Sequence, residues 1–103
     1  MTYEVQIVTP RTRVFHRAVQ VPLDPAELES FAAWAEENVR DFGRYEVDDG
    51  EIWLGVDEQD GLDIYARPGD WLVGFGNPNV YTVVWKDAQF QEAFRLAEWG
   101  EYP

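Results

Sequence analysis

The stretch Asp24-Pro25-Ala26-Glu27-Leu28-Glu29-Ser30-Phe31, continued as AAWAEENVRDF and closed by Gly43, separates two regions of strand-like sequence. Asp24 stands as an N-cap acid and Pro25 at the first helical position, where its missing N–H costs nothing. Glu27 completes a capping-box spacing. Leu28, Phe31, Ala32, Ala35, Val39 and Phe42 recur at helical intervals and form one apolar stripe. With Gly43 as the C′ residue, the spacing predicts a helix over about 25–41.

On either side the apolar period is two. Upstream, Tyr3, Val5 and Ile7 alternate with polar neighbours, Pro10 interrupts, and Val14 to Val21 reads as a second strand. Downstream, Tyr45 to Val47 and Ile52 to Val56 flank Asp48-Asp49-Gly50, a hairpin turn whose Asp-Gly supplies positive φ. Leu62, Ile64 and Ala66 alternate after a second turn, and Pro68-Gly69 turns the chain again. Trp71 to Phe75 and Val80 to Trp85 read as a hairpin around Asn77-Pro78-Asn79. That loop sets Phe75 opposite Tyr81, Val73 opposite Val83 and Trp71 opposite Trp85. Each such pair contributes about 0.2–1 kcal/mol. Asp87 is placed as the cap of a short C-terminal helix over about 87–99, with Phe90, Ala93, Phe94 and Ala97 as its buried stripe. The expectation is one α+β domain over 1–103: a mostly antiparallel sheet of five to seven strands, with both helices on one sheet face.

Charge divides this chain of 103 residues unevenly. Its net charge is -12, yet residues 1–23 carry +2, residues 24–41 carry -5, and residues 46–63 hold eight acids and no base. Such an acidic surface repels phosphate backbones and anionic lipid, which argues against direct nucleic-acid or membrane binding. No apolar run approaches the roughly 18 residues of a membrane span. The N-terminal residues lack a basic region followed by an apolar stretch, so a cytoplasmic location is expected. With no cysteine, disulfides and thiolate chemistry are excluded.

Catalytic provision is thin. Ser30, the one serine, falls on the outer face of the helix, and His16, the one histidine, reads as a partly buried, hydrogen-bonded strand residue. EF-hand spacing fails whether anchored on Gly50 or on Gly61. Asp57, Asp60 and Asp63 read as hydrated turn residues, so no metal and no cofactor is assigned. Trp53, Trp71 and Trp85 are core or sheet-surface residues, Trp99 covers the end of the last helix, and Trp34 lies about 240° from Leu28 on the helical wheel, beside the stripe. Trp34 therefore suits either a sheet-edge cover or a binding hot spot. With it, Glu29, Glu36, Asp57, Glu58, Asp60 and Asp63 are the candidate partner-binding residues. Glu29 and Glu36 share a helix face about 10.5 Å apart. Arg11, Arg13, Arg17, Arg44 and Arg67 are the candidate contacts for an anionic ligand.

Ala66-Arg67-Pro68-Gly69-Asp70-Trp71-Leu72-Val73, then Tyr81-Thr82-Val83 and Phe90-x-x-x-Phe94, resembles the A-x-P-G-D-W-[IL]-V core of small bacteriophage proteins of unassigned function. The resemblance covers roughly residues 14–95 and implies a strand and a short helix before the core. The type has no assigned activity, so no catalytic residue follows from it. Physically, Pro68-Gly69 makes a turn, Asp70 bonds the turn's backbone N–H groups, and Trp71 supplies a large buried face.

These readings point to a non-enzymatic, acidic viral protein that acts in the host cytoplasm. It would bind and modulate a host protein of a defence, replication or transcription system, by mimicking nucleic acid or by electrostatic steering. The alternatives are a small-ligand (nucleotide) binder, an enzyme using carboxylates and a divalent metal, and a minor virion component. A C2 homodimer is the commonest assembly for such a chain.

Overall fold

The computed structural model describes residues 3–10, 16–55, 64–75 and 82–97. In chain order these form β1 (Gln6–Pro10), β2 (His16–Gln20), a 3-10 turn (Pro25–Glu27), α1 (Leu28–Asn38), β3 (Arg44–Asp48), β4 (Glu51–Gly55), β5 (Ile64–Ala66), β6 (Trp71–Val73), β7 (Val83–Trp85), α2 (Asp87–Ala93) and β8 (Phe94–Leu96). The class is α+β, with every strand pair antiparallel.

The strands form two sheets rather than the one expected. A five-stranded sheet has the order β7-β6-β2-β1-β8, and a three-stranded meander the order β3-β4-β5. β2 pairs with β6, Val19 opposite Leu72, so α1 and the meander lie in sequence between two adjacent strands. The meander's apolar side chains Tyr45, Ile52, Leu54 and Ala66 join Leu28, Phe31, Ala35, Val19 and Leu72 in one core.

Alternation along the strands gives the five-stranded sheet two buried faces. Val19 and Leu72 face the first core, while Ala18, Trp71 and Val73 face a second, closed by Phe90 and Phe94. Successive strand residues point to opposite sides. The helices therefore cover opposite faces of this sheet, not one. Trp71 stacks on Phe90 of α2 at 4.0 Å, with an interplanar angle of 7°.

The long helix starts as its sequence dictates: the Asp24 carboxylate accepts the Ala26 N–H at 3.0 Å, and Pro25 opens the 3-10 turn that leads into α1. It ends at Asn38, not at 41. The residues beyond are held by other elements. The Val39 carbonyl accepts the Tyr45 hydroxyl at 2.8 Å, and the Asp41 carboxylate accepts the Thr82 N–H at 2.6 Å. Glu36 and Glu37 also set negative charge against the negative end of the helix dipole, and its last turn carries no basic residue. Every residue of the predicted stripe is buried, Val39 and Phe42 included, although both lie past the helix. Gly43 is not among the positive-φ residues and so is not a left-handed C′ cap.

The C-terminal helix is shorter still. It spans Asp87–Ala93, and Phe94 turns extended (φ -125, ψ 158) to begin β8. β8 pairs with β1, Val8 opposite Leu96 and Pro10 opposite Phe94, and supplies partners to a strand edge that would otherwise be open. β1 accordingly runs through to Pro10. Asp87 is the first residue of α2 rather than its cap, because its carboxylate accepts the Trp71 indole N–H at 2.8 Å. Trp99 and Tyr81 lie outside the described residues.

Two turns follow the sequence closely. Asp49 (φ 51) and Gly50 (φ 78) both have positive φ and join β3 to β4 in a two-residue hairpin loop. At the Arg67-Pro68-Gly69-Asp70 turn, Gly69 has φ 91, the Asp70 N–H returns to the Arg67 carbonyl at 2.9 Å, and the Asp70 carboxylate accepts the Arg67 N–H at 2.9 Å. The β6–β7 hairpin has the predicted register, Trp71 opposite Trp85 and Val73 opposite Val83.

Candidate functional site

The meander has one face in the core, and its other face carries the candidate site. Facing partners share a side in an antiparallel sheet. Glu46 lies opposite Trp53, and Trp53 opposite Tyr65, so one row crosses all three strands. Tyr65 is 43% exposed and Trp53 half-buried. With Asp48 they line an open hollow of about 380 Å³.

Gly55 shapes this face. A Cβ at that position would stand 2.2 Å from the Trp53 indole, so the ring lies across the strand where any side chain would block it. The Arg44 guanidinium sits 5.8 Å from the Trp53 ring centroid and pairs with Glu46 at 2.9 Å. At the other end of β4, Arg67 pairs with Glu51 at 2.7 Å. Both pairs are open to solvent, the second through Arg67 more than through the half-buried Glu51, and are worth about 0–1 kcal/mol each. Asp48 has no ion pair among the described residues.

The predicted partner-binding residues are only partly gathered. Glu29 and Glu36 are both exposed on α1, and Glu36 accepts the Tyr45 N–H of β3 at 3.3 Å. Glu36 and Glu37 also border a second open hollow of about 650 Å³ at the end of α1, beside Arg40 and Phe42. Trp34 packs on Phe31 (5.7 Å), Tyr3 (5.9 Å) and Phe75 (6.5 Å) and closes the edge of the first core. Asp57, Glu58, Asp60 and Asp63 lie outside the described residues, as do Arg11 and Arg13.

The remaining arginines are not brought together. Arg17 lies over the Phe75 ring at 4.7 Å on the five-stranded sheet. Arg44 stands opposite Gly55 and Arg67 beside Glu51, at opposite ends of β4, about 13 Å apart by strand rise. Both already face carboxylates, so no cationic cradle for phosphate forms among them.

Other singled-out residues have structural surroundings. Asp70 is buried, and its carboxylate also receives Lys86 Nζ at 3.1 Å. Ser30 is exposed on α1. His16 is half-buried, edge-on to Phe94 at 6.0 Å, but its buried Nδ1 has no hydrogen-bond partner among the described residues, where a bonded histidine is expected. Burial, and then the Asp41 and Glu36 carboxylates, push the Tyr45 hydroxyl far above its ordinary pKa. Among the described residues no three His, Asp or Glu side chains are grouped to hold a metal. Among them, too, no helix is long and apolar enough to cross a membrane.

Sequence reasoning missed Glu46, Asp48, Trp53 and Tyr65 as a group. Part of the signal was present: an Asp49-Gly50 loop sets Asp48 opposite Glu51 and therefore Glu46 opposite Trp53. That Tyr65 completes the row depends on β5 pairing across an eight-residue connection, 56–63, which no local rule specifies. No protein-family model matches the chain, and neither a curated protein nor a solved structure matches it.

Proposed function

We propose that this chain is a non-enzymatic accessory protein of a bacteriophage that binds a host protein and modulates it through an acidic surface. Its target would be a component of a defence, replication or transcription system in the host cytoplasm. The observation that carries the reading is the outer face of the meander, where Glu46, Asp48 and Glu51 surround the accessible Trp53–Tyr65 pair. Tryptophan and tyrosine are enriched at protein-binding hot spots, and the surplus of acid over base on this face, where Arg44 and Arg67 pair Glu46 and Glu51 and leave Asp48, steers a basic partner. Glu29 and Glu36 are further exposed acids on α1, and the Pro68-Gly69-Asp70-Trp71 motif supports the phage assignment by resemblance.

The test is capture from host lysate at low and high salt, with the wild type beside a variant in which Glu29, Glu36, Glu46, Asp48 and Glu51 are changed to their amides. A partner retained by the wild type at low salt, and weakened both by salt and by the substitutions, is the expected result. Capture unchanged by the five substitutions, with the same salt dependence, refutes the proposal.

A further inference from the structure

We infer that the hollow between Trp53 and Tyr65 receives a cationic side chain, arginine foremost, from an extended basic segment of the partner. The inference rests on the reading that the partner is a protein, and it names the chemistry of contact. The walls of the hollow supply what a guanidinium needs. Trp53 and Tyr65 line it with aromatic rings, and Glu46 and Asp48 line it with carboxylates. A cation over an aromatic ring is attracted by the ring quadrupole, and a carboxylate beside it accepts its N–H groups. A phosphate or an acidic side chain in the same place would meet the Asp48 carboxylate, beside a Glu46 whose charge is shared with Arg44. An apolar wedge would strip water from both carboxylates and return no hydrogen bond.

The protein already contains one example of the contact. Arg44 lies over the Trp53 ring and bonds Glu46 at 2.9 Å, on the same face and against the same indole. Asp48 borders the hollow with no ion pair among the described residues, so its charge is available to a second cation. Gly55 keeps the indole lying along the sheet, where a planar guanidinium can stack. Arginine suits the site better than lysine, because its planar group stacks and bonds a carboxylate at once.

The experiment is an NMR titration of the intact protein, following the assigned Trp53 indole and the Tyr65 amide. The probe is a blocked Gly-Arg-Gly-Arg-Gly peptide. Its citrulline counterpart, which keeps the shape and removes the charge, and a neutral cello-oligosaccharide are run beside it. The arginine peptide is expected to shift the Trp53 and Tyr65 signals, and the citrulline peptide to bind at least several-fold more weakly. Tyr65→Ala and Asp48→Asn, each checked for native circular dichroism, should weaken the arginine peptide by about two- to fivefold. Equal binding of the two peptides, no shift at Trp53, or binding of the oligosaccharide alone overturns the inference. The broader reading fails separately. If Tyr65→Ala and Asp48→Asn still capture a salt-sensitive host protein as the wild type does, the hollow is not the contact and protein binding stands. If wild-type capture ignores both salt and neutralisation of the acids, the protein-binding reading fails, and the titration alone decides the chemistry of the hollow.

Discussion

Asp70→Ala tests whether the G-D-W motif is a structural clasp. Asp70 is 5% exposed, and its carboxylate accepts the Arg67 N–H at 2.9 Å and Lys86 Nζ at 3.1 Å. The backbone at this point is held independently, since the Val21 N–H donates to the Asp70 carbonyl and the Gly69 N–H to the Val21 carbonyl. Truncation therefore removes two side-chain contacts and leaves the turn itself bonded. Losing the charged acceptor leaves the Arg67 N–H without its partner, which costs about 1.5–3 kcal/mol. Lys86 is 58% exposed, so water replaces much of its contact, and that part is worth at most about 1 kcal/mol. The total is about 1.5–4 kcal/mol, or a fall in Tm of roughly 6–30 °C for a domain of this size. Asp70→Asn, which keeps an acceptor oxygen for the Arg67 N–H, and Lys86→Ala should each cost about 1 kcal/mol or less. Urea unfolding followed by circular dichroism gives all three values. If Asp70→Ala costs no more than Lys86→Ala, the ion pair and not the turn hydrogen bond is what Asp70 supplies, and the reasoning is refuted.

Three further outcomes follow from named contacts. The folded state holds the Tyr45 proton where the unfolded chain loses it near pH 10, so this group's contribution is complete below that pH. It then declines by about 1.4 kcal/mol per pH unit above it. Tyr45→Phe should cost about 1 kcal/mol at neutral pH, through the lost bond to Val39, and should flatten the alkaline decline in urea titrations between neutral pH and about pH 11. Phe90→Ala removes the ring between Trp71 (4.0 Å) and Phe94 (5.1 Å) and should destabilise by about 3–5 kcal/mol in urea unfolding, with loss of near-ultraviolet signal from Trp71. Asp49→Val places a β-branched residue at φ 51 and should cost about 1–2 kcal/mol in thermal melts, whereas Asp49→Gly should be close to neutral.

The features legible in the sequence were those whose cause is local. Asp24 capping the turn at Pro25, the apolar stripe from Leu28 to Phe42, the Asp49-Gly50 loop and the Trp71–Trp85 register each depend on a few neighbouring residues. The errors came where a distant partner competed for the same groups. Phe90, Ala93, Phe94 and Ala97 carry a helical period, yet the chain turns extended at Phe94 because β1 offers it an unpaired edge. Phe90 and Phe94 still meet, stacked at 5.1 Å, so the apolar pattern was sound and the secondary structure that realised it was not. Asp87 reads as a helix cap until the indole of Trp71, sixteen residues earlier, takes its carboxylate.

The candidate site divides in the same way. Exposure of Glu29 and Glu36 followed from the helical period, and the parity of Glu46 with Trp53 was implicit in the two-residue loop. The hollow lies on the face of the meander that packing leaves outside. The apolar side of β3, β4 and β5 needs α1 and the five-stranded sheet to cover it, and burying that side fixes which residues are left outside. Alternation along each strand is a property of the sequence. The choice of face to bury, the pairing of Tyr65 beside Trp53, and the division of the aromatics between two cores are made by packing between distant segments, where the free energy of burial outweighs local preference.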